Sequence, residues 1–167
     1  MSSSMFSIRS LFAACVLCSG PMALGQGVPT QADSMLVVAE RMISNCFAYA
    51  AANELPPVSV VVVDASGALI ASKRQDGAMP ASIDAALLKA RTSVRTRVPT
   101  AALSPVVQSD ANTRDAFITL DLTAIPGGVP FARGAEAVAG AVGVSGADPD
   151  QDAACASSAV GAAKESS

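Results

Sequence analysis

Residues 126–147 read PGGVPFARGAEAVAGAVGVSGA, and their reading decides the fold. A Pro-Gly-Gly entry leads into a short strand. A turn follows at Arg133-Gly134-Ala135-Glu136, and then a longer strand over 137–145. Side chains in a strand alternate between two faces. Val138, Gly140, Val142 and Val144 therefore share one face, and Ala137, Ala139, Ala141, Gly143 and Ser145 share the other. A face this small lets something approach the backbone closely. A packed helix, a second subunit or a flat ligand would suit it, and helix packing is the plainest of the three.

The segments around the hairpin supply the other layers. Asp148-Pro149-Asp150-Gln151 is a helix start: an Asp cap, Pro at the first helical position and Gln at the third. The helix it opens runs to about Ala163 and is rich in alanine, slim enough to lie on the small face of strand 137–145. Upstream, Val58 to Val63 is a β-branched run apolar on both faces, a central strand covered on both sides. Asp64-Ala65-Ser66-Gly67 makes the turn to a return strand over 68–74, with Asp64 serving the turn rather than chemistry. Before the central strand, Met35, Val38, Ala39, Met42, Cys46, Tyr49 and Ala50 recur at helical spacing. They predict a helix over 31–52, opened by a Thr30–Asp33 capping box and stopped by Asn53 in a left-handed conformation.

After the polar loop 75–80, a helix spans 81–97. Asp84, Leu88, Arg91 and Arg95 share one side of it, while Ala81, Ala85, Lys89 and Ser93 lie on a side lined with small residues. Lys89 reads there as a lone cation, either an exposed snorkelling side chain or an anion contact at the mouth of a cleft. A short helix over 100–108 restarts at Ser104-Pro105, and 116–120 suits a strand or a helical turn equally.

Composition narrows the function. The chain of 167 residues is 51% apolar and 15% charged, with a formal net charge of -3. That suits one domain with a substantial core. The acidic balance and the lack of a basic cluster exclude a nucleic-acid partner. With no Trp and one Tyr, a stacking platform is excluded too. The absence of His removes Ser-His-Asp and Cys-His catalysis and any zinc site that needs imidazole. Residues 1–25 read as a secretory signal: Arg9 is their only charge, an apolar run starts at Leu11, and Ala23-Leu24-Gly25 offers a cleavage site before Gln26. The run is too short to span a membrane. The expected product is a periplasmic or secreted single domain, 26–167, with no membrane span. Cys15 and Cys18 leave with the leader. Cys46 and Cys155 remain, either as one disulfide or as two buried thiols.

The assembled pieces resemble the GlcG/HbpS-type haem-binding family, also called the haem-degrading domain and found at the C-terminus of PduO-type proteins. The resemblance covers about 32–163. It rests on VSVVVVDASG at 58–67, RQDGA at 74–78, Ser82, KART at 89–92, PGGVP at 126–130, GAVGVSG at 140–146 and QDAAC at 151–155, in that order and spacing. It implies a layered α/β (α+β), profilin-like domain whose mainly antiparallel sheet has roughly five strands and is packed by helices. It also implies homo-oligomers and binding of haem or a related tetrapyrrole. On the family motif and charge type, Arg74 and Lys89 would meet the two propionates. Asp76, Gly127 and Gly128 would complete a ligand surface at the rim of the hairpin. Without His, an iron ligand would be Met, Cys, Tyr, Lys or water, with Met79 and Met42 as candidates.

Three functions follow from this reading. The leading one is an exported tetrapyrrole-binding carrier, scavenger or sensor accessory. The second is an enzyme acting on haem or another small molecule, with Asp76, Asp84, Lys89 and Asp152 as acid/base groups. The third is an oligomeric structural accessory of a periplasmic oxidoreductase. The sequence leans away from an enzyme, because it shows no nucleophile–base pair, phosphate loop or metal constellation.

Overall fold

A computed structural model describes residues 34–164, with side chains to Gly161. The order of elements is α1 (Met35–Ala52), β1 (Ser59–Asp64), β2 (Leu69–Arg74), α2 (Ser82–Thr96), α3 (Thr100–Ser109), α4 (Ala111–Thr119), β3 (Gly128–Arg133), β4 (Glu136–Ser145) and α5 (Pro149–Lys164). The strands form one antiparallel sheet in the order β2-β1-β4-β3. The class is the α+β one expected, but the described sheet has four strands. Residues 116–120, left open between strand and helix, fall in and just after α4.

β1 is central because its valines are usable on both faces. Val58, Val60 and Val62 pack with α1 and α5, while Val61 and Val63 pack with Ala86, Ala90 and Val94 of α2. Each fully buried valine contributes about 1.5–3 kcal/mol. The edges carry features that discourage further pairing: Lys73 and Arg74 on β2, Pro130 on β3. Three layers result, with α1 and α5 on one face of the sheet and α2 on the other. Helices α3 and α4 form an excursion between α2 and β3, and α4 buries none of its residues.

The small face of β4 does receive a helix, but it is α2 rather than α5. A Cβ on Gly143 would overlap the Ala86 carbonyl oxygen and stand 2.8 Å from the Ala90 nitrogen. Helix α5 lies on the valine face instead, with Cys155, Ala156 and Ala159 against Val142 and Val144. The strict alternation also fails along β4. The β3–β4 register shifts between Phe131 and Arg133, and Ala139 joins Val142 and Val144 in the α1/α5 core.

Two helix ends differ from expectation. Ser34 caps α1, its hydroxyl accepting from Val37 N at 3.4 Å. The Thr30–Asp33 box and the leader lie outside the described residues. At the other end Asn53 is not left-handed (φ -108°); its side-chain amide donates to Tyr49 O at 2.8 Å, and the positive φ falls on Glu54. The start of α5 is as read, with Asp148 N donating to Gln151 Oε1 at 3.2 Å.

Cys46 of α1 and Cys155 of α5 form a disulfide, Cα–Cα 5.0 Å, so the disulfide alternative holds and the free-thiol one does not. It closes a sequence separation of 109 residues. Reducing it should lower unfolding stability by about 2–5 kcal/mol in urea titrations, and the unfolded, non-reduced chain should show no titratable thiol at either position. Gly143→Ala should cost roughly 1–3 kcal/mol by the same measurement, since the helix backbone must shift. Gly161→Ala, where a Cβ meets nothing within 4 Å, should be neutral or slightly stabilising.

Candidate functional site

Of the two readings of Lys89, the exposed snorkelling side chain falls away, because the residue is buried. Helix α2 lays Ser82, Ala86, Lys89, Ala90 and Ser93 against the sheet, and the Lys89 side chain is only 4% exposed. Its ammonium donates to Asp152 Oδ2 at 2.8 Å, to Val144 O at 2.9 Å and to Ser145 Oγ at 3.4 Å. An ammonium has three N–H donors, and all three are engaged. Asp152, in the first turn of α5, is equally buried, and its Oδ1 accepts from Ala147 N at 3.1 Å. Burial pushes the Asp152 carboxyl above its ordinary value of 3.8, and the hydrogen bond and charge of Lys89 oppose that push.

The Pro-Gly-Gly entry closes over this pair. A Cβ on Gly127 would stand 2.6 Å from Val144 O and 3.0 Å from both Lys89 Cδ and Asp152 Cβ, and φ there is +125°. One on Gly128 would overlap the Lys89 carbonyl oxygen. Only glycine lets the chain pass this close. Val144 N donates to Gly127 O, and Gly128 N donates to Thr100 Oγ1, both at 2.9 Å.

The structure thus brings Lys89, Gly127 and Gly128 together, with Asp152 as the partner that sequence reading weighed only as an acid/base group. Arg74 and Asp76 stand apart. Arg74 is exposed at the end of β2, its Nη1 donating to Ala78 O at 2.7 Å, and Asp76 is exposed in the following loop. Arg74 pairs across the sheet with Ser59, which pairs in turn with Ser145, so it shares the Lys89 end of the sheet at the outer edge. Ser59 itself is hydrogen-bonded to Ser82 at 2.7 Å. Met42 is 2% exposed inside the α1 core, and Met79 is 64% exposed on the loop before α2. Asp84 is exposed on the first turn of α2.

A groove lies elsewhere on the domain. At the opposite end of the sheet, the β1–β2 and β3–β4 turns flank an open groove of about 570 Å³, lined by Met35, Asp64, Ser66, Arg133, Glu136 and Ala139 among others. Asp64 serves its turn, as read: Oδ1 accepts from Ser66 N, Ser66 Oγ and Ala68 N at 2.7–3.0 Å. The Ser66 hydroxyl holds its carboxyl below the ordinary range. Sequence reading did not single out Met35, Arg133 or Glu136 as a group. They meet only when α1 packs beside the hairpin turn, and no motif marks them. Among the described residues no group of three or more His, Cys, Asp or Glu could hold a metal ion, and no helix is long and apolar enough to cross a membrane.

Comparison with known proteins places this fold. The family described as "Haem degrading protein HbpS-like" matches residues 35–161. The chain belongs to the HbpS-like family. Among solved structures, protein ORFY of Klebsiella pneumoniae is 27% identical with a TM-score of 0.71, covering 87% of this chain and 98% of that one. A double mutant of HbpS from Streptomyces reticuli is 28% identical with a TM-score of 0.68, covering 90% and 97%. A PduOC–haem complex is 26% identical, also with a TM-score of 0.68, covering 75% and 91%. No curated protein matches the chain.

The buried pair of this HbpS-like chain makes a direct prediction. Lys89→Met leaves Asp152 buried without its partner and should cost about 3–5 kcal/mol at neutral pH, whereas Lys89→Met/Asp152→Leu should recover much of that loss. In the single variant the charge and hydrogen bond of Lys89 no longer oppose burial and only backbone N–H groups such as that of Ala147 still do, so the native carboxyl titrates higher still. Above pH 3.8 the native state then keeps a proton that the unfolded chain releases, and stability falls as pH rises through that window. Thermal melts from pH 4 upward should therefore show the variant least handicapped at the acid end.

Proposed function

We propose that this HbpS-like protein binds haem or a related tetrapyrrole and acts outside the cytoplasm as a carrier, scavenger or sensor accessory. The observation that carries the reading is the family match over 35–161, supported by likeness to a structure solved as a haem complex. The groove suits such a ligand: about 570 Å³ lies within the range of roughly 300–1,000 Å³ typical of small-molecule sites. Its lining combines Ala139 and the Met35 thioether with the polar side chains of Asp64, Ser66, Arg133 and Glu136. Exposed Arg74 and Asp76 offer a second polar contact surface at the far rim, while Lys89, Gly127 and Gly128 act as scaffold.

Export is supported by the signal-like leader and by the Cys46–Cys155 disulfide, which persists in oxidising compartments. Assembly into homo-oligomers is supported by the α3–α4 excursion. Val106, Ile118, Leu120 and Ile125 are each more than half exposed there, and α4 has no buried residue of its own. A nine-residue helix is marginal alone in water, and packing against other copies would stabilise it.

Titrating haemin into the purified protein should produce a Soret shift with micromolar or tighter affinity, about -8 kcal/mol. Light scattering on the same sample should give a mass above one chain. A wild-type protein without spectral change would end the haem reading. The family's description as haem-degrading favours a second reading, turnover of the bound ring. Progressive bleaching of the Soret band when a reductant is added would support it, and a stable band would favour carriage.

A further inference from the structure

We propose that the α3–α4 excursion is a two-fold docking face for a second copy of this chain, and that cover by that copy is what stabilises α4. This rests on the homo-oligomer reading above and names its surface, its symmetry and the element it orders. Apolar exposure is concentrated there. Of the eight large hydrophobic side chains exposed among the described residues, five are Val98, Val106, Ile118, Leu120 and Ile125. Single exposed hydrophobics are ordinary on a protein surface, whereas a concentration of them marks an interaction face. Helix α4 buries nothing, and α3 buries only Thr100. Nine residues of helix with no covered side gain too little from their own hydrogen bonds to be stable alone.

The base of this face is fixed. Side chains of α2 and α3 pin the backbone that returns from α4 to the sheet. Arg95 Nη1 donates to Leu120 O at 2.9 Å, Thr92 Oγ1 accepts from Thr123 N at 3.0 Å, and the Ser104 hydroxyl donates to Ala124 O. Asp110 caps the start of α4, accepting from Thr113 N at 2.8 Å. Anchored in this way, the excursion loses less freedom on docking than a free segment would. Charge selects the partner. Over residues 95–125, Arg95, Arg97 and Arg114 balance Asp110, Asp115 and Asp121, so the face is neutral while the whole chain carries -3. Two copies meet there without net repulsion, and a two-fold axis can set the arginines of one against the aspartates of the other. An anionic membrane surface gains nothing from a neutral face. A copy of the same chain is also present wherever the chain is, which suits a helix that needs lasting cover.

The test follows self-association of the full chain by sedimentation over a concentration series, with amide hydrogen exchange on the same samples. Wild type, Ile118→Lys and Leu69→Lys are compared. Ile118 is 73% exposed and Leu69, on the edge strand β2, is 53% exposed, so neither substitution enters the core. Amide protection in β1 reports that each variant is folded. Wild type and Leu69→Lys should associate alike. Ile118→Lys would bury an unpaired charge at the contact, so it should weaken association by about tenfold or more. It should also lose protection over residues 111–119 while β1 keeps its own. Ile118→Lys that associates like wild type, or keeps full protection on α4, overturns the docking face and leaves the homo-oligomer reading standing. An equal loss of association in Leu69→Lys does the same. Wild type that remains a single chain at every concentration overturns both.

Discussion

A buried charge pair joins the helical layers on the two faces of the sheet. Lys89 on α2 and Asp152 on α5 come from opposite faces of the sheet and meet past the end of β4, at 2.8 Å and nearly out of solvent. Removing two charges from water is costly, and the cost is offset only where further hydrogen bonds complete both groups. Here they do: Val144 O and Ser145 Oγ complete the ammonium, and Ala147 N completes the carboxylate. The two glycines at 127 and 128 follow from this arrangement, because any side chain there would displace the pair or the backbone around it. The Pro-Gly-Gly motif lies directly over this internal ion pair.

The two ends of the sheet are built differently. At the Ser59–Ser145 end, polar groups satisfy one another and helix α2 approaches β4 so closely that Gly143 is obligatory. At the Asp64–Gly140 end, the turns diverge, the register shifts, and the start of α1 leaves room for a groove. The close packing at the first end holds the strands that lead to the groove at the second. The disulfide adds to this by fixing α1 on α5 on the far side of the same sheet.

Much of the architecture was legible in the residues. The valine run of β1, the Asp64 turn, the Pro-Gly-Gly entry to the hairpin and the capped start of α5 each rest on local chemistry, and each stands where it was read. The family resemblance was legible for the same reason, as an ordered set of such local marks. The misreadings share a different origin. The small face of β4 was matched to α5 because both are slim, whereas α2 takes it: a small surface says that something comes close and not which helix does. Residues 116–120 carried no decisive period, and became helical in an excursion that buries nothing on α4.

The site divides along the same line. Sequence by itself determined that this chain has no imidazole, that glycines cluster at 127–128, that Lys89 sits among small neighbours, and that two cysteines remain beyond the leader. It could not determine what Lys89 meets, because its partner lies 63 residues away and pairs through the fold rather than through spacing. Only the tertiary structure decided that the cation is buried, that the cysteines meet, and that Met35, Arg133 and Glu136 share a groove. The physical reason is that local patterns encode backbone conformation and burial tendency, while a site is a coincidence in space of side chains from elements far apart in the chain.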